Sequence, residues 1–485
     1  MLKQLIDLIV LPALALSLYA STAAAQDAQA VLKRAALILG SDNVKTLRFT
    51  ATGSGASYGQ AYSPGGAWPK ITLSSYVREL DYDNAFTSER VVRARAEPKG
   101  GGALPLTGTA SFGAVASGDR AWNLVNQMPV PRQPALSGRL HDLWITPHGI
   151  LKAAALAQTR LAFRQFEGRN FAAVSFAMPG VMNATAFIGE SFLVERVEST
   201  VFDAVLGDTN VITTYAAYRE FNGINFPTRI AQTQAGYPTL DLNVSEVQVN
   251  LTLNPSVPEN IARVSGERVV VEKAADGVWF LAGGSHNSVA IECADHMVLV
   301  EAPLGDERAR AVITQAKQLV AGKPLRYVIN SHHHFDHAGG LRAAAADGLT
   351  LVTQARSKPY FERAFTNLNR IAPDALSHAG RKVRILPVAD KLTLRDSRCA
   401  IEIHQLDEPL HVNTMLLVYL PNEKLLIEAD AFTPLAPNAP APNPPNAYHL
   451  NLVKQIERLG LSVERVLPLH GRMVPYAELL RMTGR

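Results

Sequence analysis

The stretch "NSHHHFDHAGG", residues 330–340, places His332, His333, His334, Asp336 and His337 within six consecutive positions. The whole chain has 13 histidines in 485 residues, so this density is a local feature and calls for a local cause. Neutral imidazole and carboxylate are donors that suit zinc and iron. His332 and His334 are two positions apart, and Asp336 adjoins His337. In a turn just past a strand end, the first pair can converge on one ion while the second pair points to another. Two ions call for about seven protein donors or bridges, so more must come from elsewhere in the chain.

Three further residues qualify by position. His411 precedes the apolar stretch "MLLVYLPNEKLLIE", which reads as a hairpin, and Asp430 follows its return strand, so both are expected at one end of a sheet. His470 ends "VERVLPLHG", where Gly471 allows a sharp exit. Loop residues just outside strands combine free backbone geometry with a rigid base, which is where chemistry is usually mounted. His404 lies mid-strand in "AIEIHQL" and reads as structural. The cluster is therefore expected to be half of a two-metal site.

These elements sit in a chain with two grammars. From about Leu47 to Val249 the sequence is rich in β-branched and aromatic stretches, such as "TLRFTATGSG" and "VITTYAAYREF", separated by Gly, Asp and Asn turns. "GRLHDLWITPHGILKAAALAQ" has apolar residues at helical spacing, with Pro147 able to start a helix but not continue one. A sheet curled around one or two helices is expected over 26–253, with Trp68, Trp122 and Trp144 in its core. Residues 254–267 read as a linker, with two prolines and a polar run. From 268 to 485 strands and helices alternate: "ERARAVITQAKQLV" as an amphipathic helix, "LRYVIN" as a buried strand feeding the histidines, and a helix near Leu450 to Leu459. That pattern belongs to a layered α/β domain.

Composition narrows the classes. Lys and Arg number 47 against 43 Asp and Glu, a net charge of +4, and no long basic run marks a nucleic-acid binder. At the N-terminus, Lys3, the apolar run Leu8 to Tyr19 and Ala23-Ala24-Ala25 make a secretory signal with an A-x-A cleavage site, ending at residue 25. A periplasmic or secreted protein is expected, with no transmembrane segment in the mature chain. Cys293 and Cys399 do not form a disulfide framework and are expected as separate, small apolar core residues.

With the set His-x-His-x-Asp-His, His, Asp, His in that order, residues 268–485 closely resemble the metallo-β-lactamase superfamily. The resemblance implies an αββα sandwich with two zinc ions at one sheet edge, iron or manganese being alternatives. By position, His332, His334 and His411 would hold the first ion, Asp336, His337 and His470 the second, and Asp430 would bridge them, with His333 outside the set. A hydroxide bridging the ions would attack an amide, ester, lactone or thioester carbonyl of a small molecule, with Asp336 and Asp430 as the catalytic carboxylates. An aspartate at 430, rather than cysteine, is similar to glyoxalase II and the lactonases. Ser285, His286 and Asn287 in "GGSHNS", and Tyr448 and His449 after the proline-rich segment 433–451, are expected at the substrate rim. Two other readings remain open: a single-iron sulfur dioxygenase of the same fold, and an envelope carrier to which the metal domain is secondary. The N-terminal half weakly resembles the half-barrel of periplasmic lipoprotein carriers.

Overall fold

A computed structural model of the chain describes residues 27–96 and 108–485. The export signal expected over 1–25 lies outside the described residues. Residues 46–249 build one thirteen-stranded antiparallel sheet in which the first strand, Thr46–Ala56, pairs with the last, Tyr237–Val249. Alternation drives this: along Thr209–Phe221, Thr209, Val211, Thr213 and Tyr215 are buried while their neighbours are not. Hairpins close on the turn chemistry that the strands' twist requires. Asn222 and Gly223, both at positive φ (50° and 82°), join Thr209–Phe221 to Ile224–Gln234.

The sheet has open edges at Met128–Pro131 and Arg160–Phe166. Helices over 27–39, Leu136–Trp144 and Pro147–Leu156 pack on one face, where Leu32, Leu39, Leu143 and Ile150 meet Leu47, Tyr76, Phe226 and Leu242. Pro147 occupies the first turn of its helix, and the Thr146 side chain accepts from Gly149 N–H as its N-cap. Trp68 and Trp122 are buried, and Trp144 is partly buried against the same core. The segment after the sheet is pinned to it. Ile261 packs with Phe86, Val115 and Trp122, and the Val264 carbonyl accepts from Arg120.

The remaining strands form two sheets. One runs Val270–Ala275, Val278–Ala282, Ser288–Glu292, Met297–Val300, Leu325–Ile329, Thr350–Gln354 and Arg384–Val388. The other runs Lys391–Arg395, Ala400–Gln405, Leu416–Leu420, Leu425–Glu428, Arg465–Pro468 and Val474–Pro475. Their inner faces share a core in which Phe280, Val289, Val298 and Ile329 meet Ile401, Val418, Ile427 and Leu467. Helices Asp306–Leu319, Leu341–Ala346 and Lys358–Ala364 cover the outside of the first sheet, and Ala447–Arg458 and Tyr476–Met482 that of the second. This is the αββα sandwich expected. Leu416–Leu420 is apolar at every position because it is buried on both faces. No helix among the described residues is long and apolar enough to cross a membrane.

One expectation is overturned. Cys293 and Cys399, 106 positions apart in sequence, form a disulfide with Cα atoms 4.9 Å apart. Each lies at the end of a strand, Ser288–Glu292 in one sheet and Ala400–Gln405 in the other, and stacking the sheets brings those ends together. The bond ties the two layers of the sandwich. Replacing both cysteines by alanine is expected to cost about 2–5 kcal/mol in urea unfolding; equal stability would show that the bond adds nothing.

His148 makes the β-rich half acid-sensitive. It is fully buried, its Nε2 donates to the Leu39 carbonyl, and its ring stacks on Phe226. Burial pulls its pKa from 6.5 down to about 4. The unfolded chain therefore takes up this proton more readily, so stability is complete above pH 6.5 and is lost as pH falls toward 4. The loss should approach about 3 kcal/mol, and His148→Phe should remove that part of the pH dependence. An unchanged pH profile would rule His148 out as its source.

Candidate metal centre

The histidine stretch follows the strand Leu325–Ile329 at the end where the two sheets meet. The Ser331 carbonyl accepts from Leu416 N–H, joining that end of the first sheet to the second. His334 is extended (φ −61°, ψ 148°) and caps a single helical turn, Phe335–Ala338, so the chain changes direction between His334 and Asp336. Asp430 follows Leu425–Glu428 at positive φ (57°), a backbone that aspartate tolerates better than most residues. Buried Glu428 holds this turn by accepting the N–H groups of Ala431 and Phe432.

Two donor groups result. In the first, His332, His334, His411 and Asp430 bring one ligand atom each to within 4.8 Å of one another. In the second, His286, Asp336, His337 and His470 do the same. Asp430 lies between them. Its Oδ2 is 3.2 Å from His332 Nε2, 3.3 Å from His411 Nε2 and 2.9 Å from His337 Nε2, and its Oδ1 is 3.1 Å from His470 Nε2. All seven residues expected as ligands thus converge, and His286 joins them. His404 stays apart, in a strand, paired with Glu402.

The outer nitrogens of the other rings have committed partners that determine where the protons are, while His411 Nδ1 has none among the described residues. Ser331 Oγ donates to Glu301, so it must accept from His332 Nδ1–H, 3.1 Å away. His332 Nε2 is then bare; it faces a carboxylate oxygen and has no hydrogen-bond partner among the described residues. His337 Nδ1 donates to Glu301 Oε2 at 3.0 Å, and His470 Nδ1 to the Ser285 carbonyl at 3.2 Å. Their Nε2 atoms lie 3.1 Å apart, and His337 Nε2 is also 2.9 Å from Asp430 Oδ2. His334 Nε2 donates to the Ala61 carbonyl at 2.9 Å, which turns its Nδ1 toward His411 Nε2, also 2.9 Å away. Atoms held this close call for positive charge among them, from a proton or a metal ion, and imidazole with carboxylate is a donor set for a divalent metal. Burial holds His332 and His334 well below the ordinary histidine range, so both are neutral and ready to ligate. For His337 burial acts the same way, but Asp430 and Asp336 outweigh it and raise its pKa, making it the place where a proton can stand in for metal.

The site draws on the β-rich half as well. The loop between Thr46–Ala56 and Lys70–Asp81 lies against the histidine stretch: Gln60 Nε2 donates to Asp336 Oδ1 at 2.8 Å, and Phe335 N–H donates to the Gly59 carbonyl. Phe335 and His333 face away from the donor groups and line a cavity of about 340 Å³ with Trp68, Tyr237 and Tyr360. Gln60 and Ala61 carry no sequence signal, being more than 270 positions from their partners. Glu301 could have been noticed as a carboxylate ending a wholly apolar strand, Met297–Val300.

The residues expected at the substrate rim divide. Ser285 Oγ pairs with His286 Nδ1, and His286 itself lies within the second donor group. Asn287 differs from the expectation because it is buried, its amide donating to the Pro468 and Gly471 carbonyls; it fastens one loop to another. Tyr448 is edge-on to His411, with ring centres 5.9 Å apart, and so adjoins the site. His449, one position along the same helix, turns instead onto Phe432 in the outer core.

A two-sheet sandwich with histidines and aspartates gathered at one edge defines a metal-dependent hydrolase fold. Residues 281–349 match the sequence profile of the metallo-beta-lactamase superfamily, a span that includes the histidine motif and the strands leading into it. Among solved structures, a metallo-beta-lactamase from Pontibacter korlensis aligns at 18% identity over 45% of this chain and 98% of its own, with a TM-score of 0.35. One from Hirschia baltica aligns at 19% identity over 45% and 97%, with a TM-score of 0.34. DIM-1 metallo-beta-lactamase aligns at 14% identity over 45% and 97%, with a TM-score of 0.36.

Glu301 is the partner on which His337 and, through Ser331, His332 depend. Glu301→Gln is expected to weaken divalent-ion binding about 10–100-fold, read by competition with a chromophoric chelator. Gln60→Ala, which removes one donor from Asp336, should weaken it less. Unchanged affinity in Glu301→Gln would show that it does not orient the ligands.

Proposed function

We propose that the protein is an exported zinc hydrolase that holds two ions and cleaves an amide, ester, lactone or thioester bond of a small molecule. The observation that carries this reading is the Asp430 carboxylate standing within 2.9–3.3 Å of nitrogens from both donor groups. His332, His334 and His411 would hold one ion and Asp336, His337 and His470 the other, with Asp430 shared. When bound, such ions polarise a carbonyl oxygen and lower the pKa of coordinated water toward neutrality. The protein's part is to keep His332 and His334 neutral by burial and to fix the rings of His337, His470 and His334 through Glu301, Ser285 and Ala61. Asp430 and Asp336 supply the negative charge between and beside the ions, and Asp336 is oriented by Gln60 on one oxygen. Tyr448, beside His411, is placed to meet a substrate on the first group's side.

Other features favour this reading over its rivals. A second donor group as complete as the first speaks for two ions rather than one iron. An N-terminal loop that donates to Asp336 and accepts from His334 speaks for that half as part of the enzyme rather than a separate carrier. A disulfide is at home in an oxidising compartment, which together with the signal-like N-terminus supports export to the periplasm or beyond.

Metal analysis of the purified full chain should find two zinc equivalents, and a panel of β-lactam, lactone, ester and thioester substrates should identify a hydrolysed class. Asp430→Asn keeps the side chain's shape but removes its charge. It should hold the second ion weakly, lose activity steeply at limiting zinc and recover part of it at high zinc by mass action. A firm value of one equivalent, or an Asp430→Asn variant that binds and turns over normally, would overturn the two-ion reading.

A further inference from the structure

His286 is not among the residues by which the family's pattern accounts for two ions, yet it lies inside the second donor group. Resting on the two-ion reading above, we infer that His286 is a direct ligand of the second ion, making that site a three-histidine, carboxylate-closed one. The open position for chemistry is then left to the first.

Its place is built in. Ser285 Oγ lies 2.9 Å from His286 Nδ1, turning Nε2 toward Asp336 Oδ2 at 3.2 Å. The ring centre is 4.1 Å from that of His470 and 5.0 Å from that of His337. The backbone cannot swing it away, because both flanks are tied to neighbouring loops. The Ser285 carbonyl accepts from His470, and the His286 carbonyl accepts from the buried Arg308, which also donates to the Ala282 and Arg268 carbonyls. Asn287 N–H donates to Leu469, and its amide to Pro468 and Gly471. His286 is thus locked to the loop that carries His470. It is only 6% exposed, too buried for a rim group.

A structural alternative is that His286 simply hydrogen-bonds Asp336. The company of the ring argues against it. One ligand atom each from His286, Asp336, His337 and His470 lies within 4.8 Å of the others, a gathering that a single hydrogen bond to Asp336 does not require. With His286, the second group offers three imidazoles, Asp336 and a share of Asp430. The first offers three imidazoles and the other share. A closed protein set characterises sites that hold an ion, and an open position those that work on substrate. The second ion is therefore the more tightly retained.

Two measurements on the full-length protein test this. Histidine-selective ¹⁵N spectra of the wild type with two zinc equivalents should show six metal-bound ring nitrogens, the last three appearing together as one ion binds. In zinc titrations of the apo protein, His286→Ala and His286→Gln should both weaken one ion by more than about 100-fold, beyond the range of an orienting partner. Glutamine can keep the hydrogen bond to Asp336 but cannot replace the imidazole. Five metal-bound nitrogens with two ions present, or a His286→Gln variant with near-native affinity, would overturn the ligand role while leaving the two-ion reading intact. A wild type that takes up fewer than two ions would overturn both.

Discussion

The site depends on one electrostatic constraint: ring nitrogens turned inward by their outer partners are held against one another and against a carboxylate. His332 Nε2 faces Asp430, and His337 Nε2 faces His470 Nε2, in each case because the opposite nitrogen already donates elsewhere. Such an arrangement is repulsive until positive charge enters it. The scaffold imposes it through three anchors of different origin: Glu301 at a strand end, the Ser285 carbonyl in a loop and the Ala61 carbonyl from the other half of the chain. The sandwich resists relaxation because its inner core is continuous and its layers are joined by a disulfide.

The loop holding Gly59, Gln60 and Ala61 gives the β-rich half a part in the chemistry. A carbonyl fixes which nitrogen of His334 is free, and a carboxamide fixes how Asp336 is turned. Close approach is what allows this. A side chain at Gly59 would collide with the Phe335 ring, and Gly59 is also at positive φ (71°), so glycine meets two requirements at once. Phe335 in turn packs edge-on against Tyr58, with ring centres 5.3 Å apart. Motif residues that do not face the donor groups therefore serve as the seam between the halves.

Much of this was legible in the sequence. The spacing of His332, His334, Asp336 and His337, and the positions of His411, Asp430 and His470 just outside apolar strands, determined which groups would gather at one sheet edge. Ligand spacing within a turn is a local property, and strand ends can be read from hydrophobic pattern. A layered α/β domain followed from the same alternation of elements, its αββα order from the resemblance that the motif carries, and the β-rich half from its period-two stretches.

What only the tertiary structure decided was pairing over distance. Hydrophobic pattern says that Cys293 and Cys399 are buried but not that stacked sheets bring them together. Polar residues in a turn look alike in sequence: within "GGSHNS", His286 enters the donor group, Asn287 fastens a loop and Ser285 orients a ring. Tyr448 and His449 are neighbours in the chain, but the helix turns one toward His411 and the other into the core. Periodicity encodes how deeply a side chain is buried, whereas the identity of its partner is a property of the packed fold.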